Sequence, residues 1–467
     1  MKIEQIYTGC LAQGAYYIES NGEVAIIDPL REVGDYIAKA KEDGAKIKYI
    51  LETHFHADFV SGHVSLAQKI GAQIIYGPNA NPSFEAKIAE DNEVFTLGDI
   101  TLTALHTPGH TMESTTYLLK DEQGKDHAIF TGDTLFLGDV GRPDLAQKAA
   151  DMTQEDLAGI LFDSLHTKIM PLADNITVYP AHGAGSACGK NMMKETVDTL
   201  GNQKNMNYAL RADMTKEEFI KEVTDGLAPP PQYFPLNVKL NKEGYEDVDK
   251  VMERAASRGM TPEAFEAAAN ETNAIVLDVR SQEEFVMGHV PRSIFIGIDG
   301  GFAPWVGALI ADVKQPILLV TPEGRLEEVL TRLSRVGFDN TIGFLEGGIK
   351  AWKAAGKEID TIESISADQF NRDIGSHKTF DVRKEGEYNS SHVNSAELTP
   401  LDNLNDHLAE FPKEDKFFIH CAGGYRSVIA SSILKSRGIH NMINVEGGMS
   451  AIEKTGVEIK TCTCSKT

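Results

Sequence analysis

The second half of the chain carries one pattern twice. "IVLDVRSQEEFVMGHV" at 275–290 recurs as "KTFDVRKEGEYNSSHV" at 378–393, and "FLEGGIKAW" at 344–352 recurs as "NVEGGMSAI" at 444–452. Self-similarity of this kind calls for two copies of one domain instead of one larger core. Within a copy, strand-like runs alternate with helical ones, as in "FFIHC", "SVIASSILKSRG" and "MINVEGG", the order of a parallel sheet covered on both faces.

At 467 residues the chain also needs another core ahead of the repeat. There, β-rich runs ("EVAIID", "KYILET", "AQIIYG", "ITLTALHT", "AIFTGD", "ITVYPAH") each end in polar or glycine residues, and helical stretches such as "VGDYIAKAKEDG" close on a glycine. The triple proline in "LAPPPQYFPLN" at 227–237 interrupts both helix and sheet. The expected organisation is α/β and α+β multidomain: a layered domain over 1–235, a linker over 236–260, and the two repeat copies over 261–360 and 361–467.

A net charge of −24, from 45 basic and 69 acidic residues, repels phosphate backbones and anionic lipid, so neither nucleic acid nor a membrane is an expected partner. The first residues show no signal-peptide pattern and no apolar run reaches spanning length, which together give a cytoplasmic expectation. Cys10, Cys188, Cys421, Cys462 and Cys464 are odd in number and scattered, the usage of separate thiols and not of a disulfide framework.

In "ETHFHADFVSGH" at 52–63, His54, His56 and Asp58 alternate behind an apolar run, and in extended backbone such positions point to one side. Further polar strand ends supply His106 and His110, Asp133, and His182. A hydrogen-bonded core histidine accounts for any one of these alone, but not for the set; the set points to a metal. With these motifs the chain resembles the metallo-β-lactamase superfamily over 1–235. The resemblance implies an αββα sandwich with a metal at one edge of its sheets. Many members have a histidine after the motif's Asp, serving a second metal, where this chain has Phe59; one metal per chain is therefore expected. Among those members the domain looks most like persulfide dioxygenases, and that likeness implies Fe(II) held by His54, His110 and Asp133, a two-histidine, one-carboxylate triad with open positions. It makes His56, Asp58 and His182 residues that orient ligands or bound water. Should His56 also ligate, zinc and thioester hydrolysis follow, as in the glyoxalase II-like branch. Persulfide dioxygenases carry an arginine near the iron pocket in a stretch similar to "GDVGRPDL", which makes Arg142 a substrate-binding candidate; an ion pair with Asp144 is the other reading. Cys188 is either at the pocket mouth, binding substrate, or a small buried thiol.

"HCAGGYRS" at 420–427 places Cys421 between a strand and a helix, in a loop where Gly423 and Gly424 leave backbone N–H groups free to turn toward the sulfur and Arg426 adds positive charge. The bland reading is a buried structural cysteine. The loop, with the "DVR", "HV" and "EGG" elements, resembles rhodanese sulfurtransferases over about 365–460. Four residues separate Cys421 from Arg426, a cradle for a single sulfur atom, whereas similar phosphatase loops have one more. In the first copy Thr321 stands in the thiol's place, so that copy is expected to be catalytically silent, with a packing or docking role that extends to self-association. Cys462 and Cys464, two apart in a polar tail, are candidates for a sulfur relay, with a mobile terminus as the default.

Fusions of this composition resemble bacterial persulfide dioxygenase–rhodanese proteins. The implied function is oxidation of a low-molecular-weight thiol persulfide by O2 to sulfite at the Fe(II) site, with sulfane sulfur passing through a Cys421 persulfide to sulfite to give thiosulfate. The alternatives are a zinc-dependent thioester hydrolase fused to a sulfurtransferase, and a non-enzymatic persulfide-binding or sensing protein. The carrier thiol stays open.

Overall fold

The computed structural model describes residues 1–227 and 229–461, apart from the side chains of Lys148 and Ala149. Cys462 and Cys464 lie outside the described residues. The chain divides into two compact units, Met1–Val251 with Leu333–Gly337, and Met252–Arg332 with Phe338–Thr467.

Among the described residues of the first unit the apolar runs form twelve strands. The first six are β1 (Lys2–Thr8), β2 (Gln13–Ser20), β3 (Glu23–Ile27), β4 (Lys46–Leu51), β5 (Gln73–Tyr76) and β6 (Lys87–Ile88), which make one sheet in that order. The others are β7 (Val94–Leu97), β8 (Ile100–His106), β9 (Thr115–Lys120), β10 (Asp126–Gly132), β11 (Thr177–Pro180) and β12 (Asp198–Thr199), a second sheet ordered β12-β11-β10-β9-β8-β7. The period of two along β2 and β3 explains the layering. Tyr16, Ile18, Ala25 and Ile27 meet Leu102, Tyr117, Leu119 and Phe130 of the second sheet. Their neighbours Ala15, Tyr17, Val24 and Ile26 face outward with Tyr36, Ala40 and Leu66 of the helices Gly34–Glu42 and His63–Ile70. On the far side, Leu157, Ala158, Leu161, Phe219 and Val223 from the helices Gln154–Ser164 and Lys216–Thr224 cover the second sheet. This is the expected αββα sandwich.

Beyond the triple proline, where a linker is expected, the chain forms helices over Phe234–Glu243 and Val248–Ala256. Proline is tolerated in the first helical turn, and Pro235 sits there.

The second unit holds the repeat. One sheet comprises β13 (Gly259–Met260), β14 (Ile275–Asp278), β15 (Ile294–Phe295), β16 (Ile317–Val320) and β17 (Thr341–Leu345), ordered β13-β17-β16-β14-β15 with every pairing parallel. The other comprises β18 (Ser364–Ile365), β19 (Lys378–Asp381), β21 (Ala396–Leu398), β22 (Phe417–His420) and β23 (Met442–Val445), ordered β18-β23-β22-β19-β21; β20 (Ser391–Val393) pairs separately with β24 (Ile459–Thr461). The repeated residues hold each copy together. Arg280 grips Asp278 and the Gly288 carbonyl, as Arg383 grips Asp381 and the Ser391 carbonyl. His289 bonds the Phe285 carbonyl and stacks on its ring, as His392 does with Tyr388. Among the described residues no helix is long and apolar enough to cross a membrane.

Candidate metal centre and thiol cradle

The candidate ligands come from chain segments that follow four strands of the two sheets: His54, His56 and Asp58 after β4, His110 after β8, Asp133 after β10 and His182 after β11. The strand ends approach closely. Gly132 closes β10 at φ +53°, and a side chain on it would begin 2.6 Å from Thr53.

All six side chains are buried and fall into two groups whose ligand atoms lie within 4.8 Å of one another: His54, His110 and Asp133, and His56, Asp58 and His182. Asp133 Oδ2 is 3.8 Å from His54 Nε2 and 3.5 Å from His110 Nε2. Neither Asp133 carboxylate oxygen has a hydrogen bond from the protein, which is costly for a buried acid unless a cation uses it. The outer ring nitrogens are fixed. Thr53 Oγ1 donates to Asp28 Oδ2 at 2.8 Å and so accepts from His54 Nδ1–H at 3.0 Å; His110 Nδ1–H donates to the Arg142 carbonyl at 3.0 Å. Both Nε2 lone pairs are thereby left for a metal, and the donor set fits one.

His56 is held from behind. Its Nε2 lies 3.0 Å from Asp28 Oδ1 and 3.6 Å from Glu52 Oε2. Burial pulls its pKa down, but the close charge of Asp28 and then that of Glu52 outweigh it and hold the imidazole up at about 9. His54 goes well below its ordinary value, through burial and then the positive charge of His56, His110 and His182. Asp28 and Glu52 escaped the sequence reading, although Asp28 closes "EVAIID" as Asp133 closes "AIFTGD"; the signal was there.

Arg142 is engaged with Asp144, Nε to Oδ1 and Nη2 to Oδ2 at 2.7 Å each, and its Nη1 reaches the Ala187 carbonyl at 3.3 Å. The ion-pair reading therefore describes its side chain, while its carbonyl serves His110. Cys188 is buried with its sulfur in one ligand-distance group with Asp133 and His182, and burial followed by the Asp58 and Asp133 charges pushes its thiol well up. His106 joins none of these groups and bonds the Met112 carbonyl at 2.9 Å.

In the second copy of the repeat, Cys421 follows β22 and is buried. Gly424, at φ +102°, donates its N–H to Cys421 Sγ at 3.1 Å and starts the helix Tyr425–Ser436, while Gly423 is exposed at the loop's tip. The "EGG" element locks the loop's other side: Met449 N–H and Ser450 N–H donate to the Cys421 and Ala422 carbonyls, and a side chain on Gly448 would begin 2.4 Å from the Cys421 carbonyl. Arg426 brings less charge than its position suggests, because Glu387 neutralises it through bonds of 2.6 and 2.7 Å. In the first copy Pro322 and Glu323 follow Thr321, so one cradle N–H is missing and a carboxylate stands where the second copy has glycine.

Comparison with known proteins agrees with this geometry. Residues 8–182 match the model of the metallo-beta-lactamase superfamily, and 261–355 and 366–455 each match that of the rhodanese-like domain. A mitochondrial persulfide dioxygenase of Mus musculus is 30% identical over 221 residues, 47% of this chain and 78% of that one. A cytoplasmic hydroxyacylglutathione hydrolase of Arabidopsis thaliana is 37% identical over 147 residues, 30% of this chain, and the match spans only 56% of that relative's length. Among solved structures, a metallo-beta-lactamase of Staphylococcus aureus superposes with a TM-score of 0.65 at 31% identity, covering 73% of this chain and 98% of that one.

Proposed function

Since the chain belongs to the metallo-beta-lactamase superfamily and carries two rhodanese-like domains behind that domain, we propose that it oxidises a low-molecular-weight thiol persulfide and transfers sulfane sulfur. The observation that carries the first activity is the His54–His110–Asp133 group, two imidazoles and one carboxylate with orphaned acid oxygens. Fe(II) bound there would supply a redox centre with open positions for O2 and a sulfur anion. Around it, Thr53 and the Arg142 carbonyl hold both imidazoles in the ligating tautomer, and the buried walls exclude water from the persulfide. Overall, one persulfide, O2 and water give the free thiol, sulfite and protons.

At the second site the Cys421 thiolate attacks the outer sulfur of another persulfide, forming the Cys421 S–S bond and releasing the carrier thiolate. Sulfite then attacks that outer sulfur, forming the S–S bond of thiosulfate as Cys421 leaves as thiolate. The Gly424 N–H stabilises the anionic sulfur at both stages.

The match to the plant hydroxyacylglutathione hydrolase favours a second reading, zinc-dependent thioester hydrolysis. Metal analysis and oxygen uptake separate the two. The iron-loaded chain given glutathione persulfide consumes O2 on the first reading; no uptake, with stoichiometric zinc and cleavage of S-lactoylglutathione, establishes the second. Cys421→Ser leaves oxygen uptake intact and shifts the product from thiosulfate to sulfite, and an unchanged thiosulfate yield would remove Cys421 from the scheme.

A further inference from the structure

The segment that carries His56 and Asp58 leaves β4 as irregular backbone, so its buried amides and carbonyls have no neighbouring strand to pair with. The Phe55 amide goes to Glu113 Oε1 and the Val60 amide to the Arg335 carbonyl, and side chains from one distant stretch meet several of the others. Asn241, buried on the helix Phe234–Glu243, donates its two Nδ2 hydrogens to the His56 and Phe59 carbonyls at 2.8 Å each and accepts the Ser61 amide at Oδ1 at 2.9 Å. Just before the helix, the Tyr233 hydroxyl donates to the Asp58 carbonyl at 3.2 Å. Just after it, the Tyr245 hydroxyl donates to the Ser61 carbonyl and accepts the Val64 amide at 3.3 Å. An asparagine head is planar, with two donors on one side and an acceptor on the other, and here all three are spent on one loop.

We propose that Asn241 is a positioning residue for the metal centre: it fixes the backbone from His56 to Ser61 and thereby the spacing of the side chains that the loop projects. The proposal rests on the reading of His54, His110 and Asp133 as metal ligands. It extends the functional unit past 182, where the match to the superfamily ends, into a helix on the far side of the triple proline. Apolar packing alone does not explain an asparagine there. A leucine would fill similar space and strand three backbone groups of the loop that follows the ligand His54 and carries His56 and Asp58 beside it.

The test uses the full metal-free chain titrated with Co(II), read through its ligand-field absorption. Asn241→Ala is expected to weaken Co(II) binding about 10-fold or more and to move the absorption band, as changes behind a metal ligand do. Tyr233→Phe, which gives up one hydrogen bond, is expected to weaken it about threefold, and it carries the test if Asn241→Ala does not fold. Val238→Ala removes core packing from the same helix, and is expected to lower thermal stability while leaving Co(II) affinity and spectrum unchanged. The inference is overturned if the Asn241 and Tyr233 variants bind Co(II) as wild type does, or if Val238→Ala loses as much affinity as Asn241→Ala. A wild-type chain that binds no Co(II) sinks the metal reading itself, a separate failure.

Discussion

Phe59 lies against the imidazole of His56, ring centroids 4.3 Å apart, and is completely buried. It sets hydrocarbon beside His56, a member of the group His56, Asp58 and His182, at the position where many superfamily members carry a further donor. Phe59→His is therefore expected to raise bound metal from about one ion per chain toward two when the variant is loaded with zinc. Elemental analysis of the dialysed protein checks this. A stoichiometry unmoved from wild type would mean that the hold of Asp28 on His56, and not the missing donor, limits the site.

His63 gives a pH dependence with a definite sign. It is buried among Tyr76, Phe84 and Tyr245, and that burial, followed by the charge of His56, pushes its pKa down to about 3. A histidine depressed in the folded state contributes stability above its unfolded value near 6.5, and that stability is lost as pH falls toward 3. Between pH 6.5 and 5 this one group should remove about 2 kcal/mol. His63→Phe keeps a ring among its neighbours and should flatten the acid loss by that amount, measured by hydrogen exchange of the helix His63–Ile70 at the two pH values. Parallel curves for variant and wild type would contradict the assignment.

Glu387 sets how much of Arg426's charge reaches Cys421. The carboxylate binds both terminal nitrogens of the guanidinium, and that hydrogen bonding holds its own pKa below the ordinary value. Replacing it with glutamine keeps the shape and removes the compensating charge, so Arg426 then acts on the sulfur alone. Alkylation of Cys421 at a fixed neutral pH should become about threefold faster or more, because positive charge beside a sulfur raises its reactivity. A slower reaction would show that the pair matters for placing the arginine and not for its charge.

These cases also show what the sequence made legible. Strand ends were readable because apolar runs stop at chemistry-bearing residues, which brought out His54, His56, Asp58, His106, His110, Asp133, His182 and Cys421 from local pattern, while choosing His54, His110 and Asp133 among them took the resemblance to persulfide dioxygenases. The partners that tune them come from elsewhere in the chain. Glu387 lies 39 positions from Arg426, and Asn241 lies 185 from His56, distances over which no periodicity connects two residues. The stretch 236–260 read as a linker because the prolines before it end one helix, and the same prolines hide that another begins at once. The replacement of the thiol by Thr321 in the first copy was readable, but the use of that copy was not, because packing partners of a repeat leave no motif.

That use concerns Tyr425, the residue after the cradle's last glycine. Its hydroxyl donates to the Gly297 carbonyl of the first copy at 2.8 Å, its ring meets Phe295 edge-on at 5.7 Å, and a side chain on Gly300 would begin 2.3 Å from it. Farther along the same helix, Ser432 Oγ accepts the Phe295 amide at 2.9 Å. The helix that begins directly after Gly424, the donor to Cys421, is thus braced by the first copy along its length. Tyr425→Phe removes one hydrogen bond, worth about 1 kcal/mol, and should lower the rate of sulfur transfer about threefold to tenfold with oxygen uptake unchanged. Gly300→Ala pushes the ring itself and should cost more. Thiosulfate formation followed beside oxygen consumption separates the two activities in one sample. Sulfur transfer at the wild-type rate in both variants would leave the first copy without a part in the chemistry of Cys421, since every contact tested reaches the cradle through this one side chain.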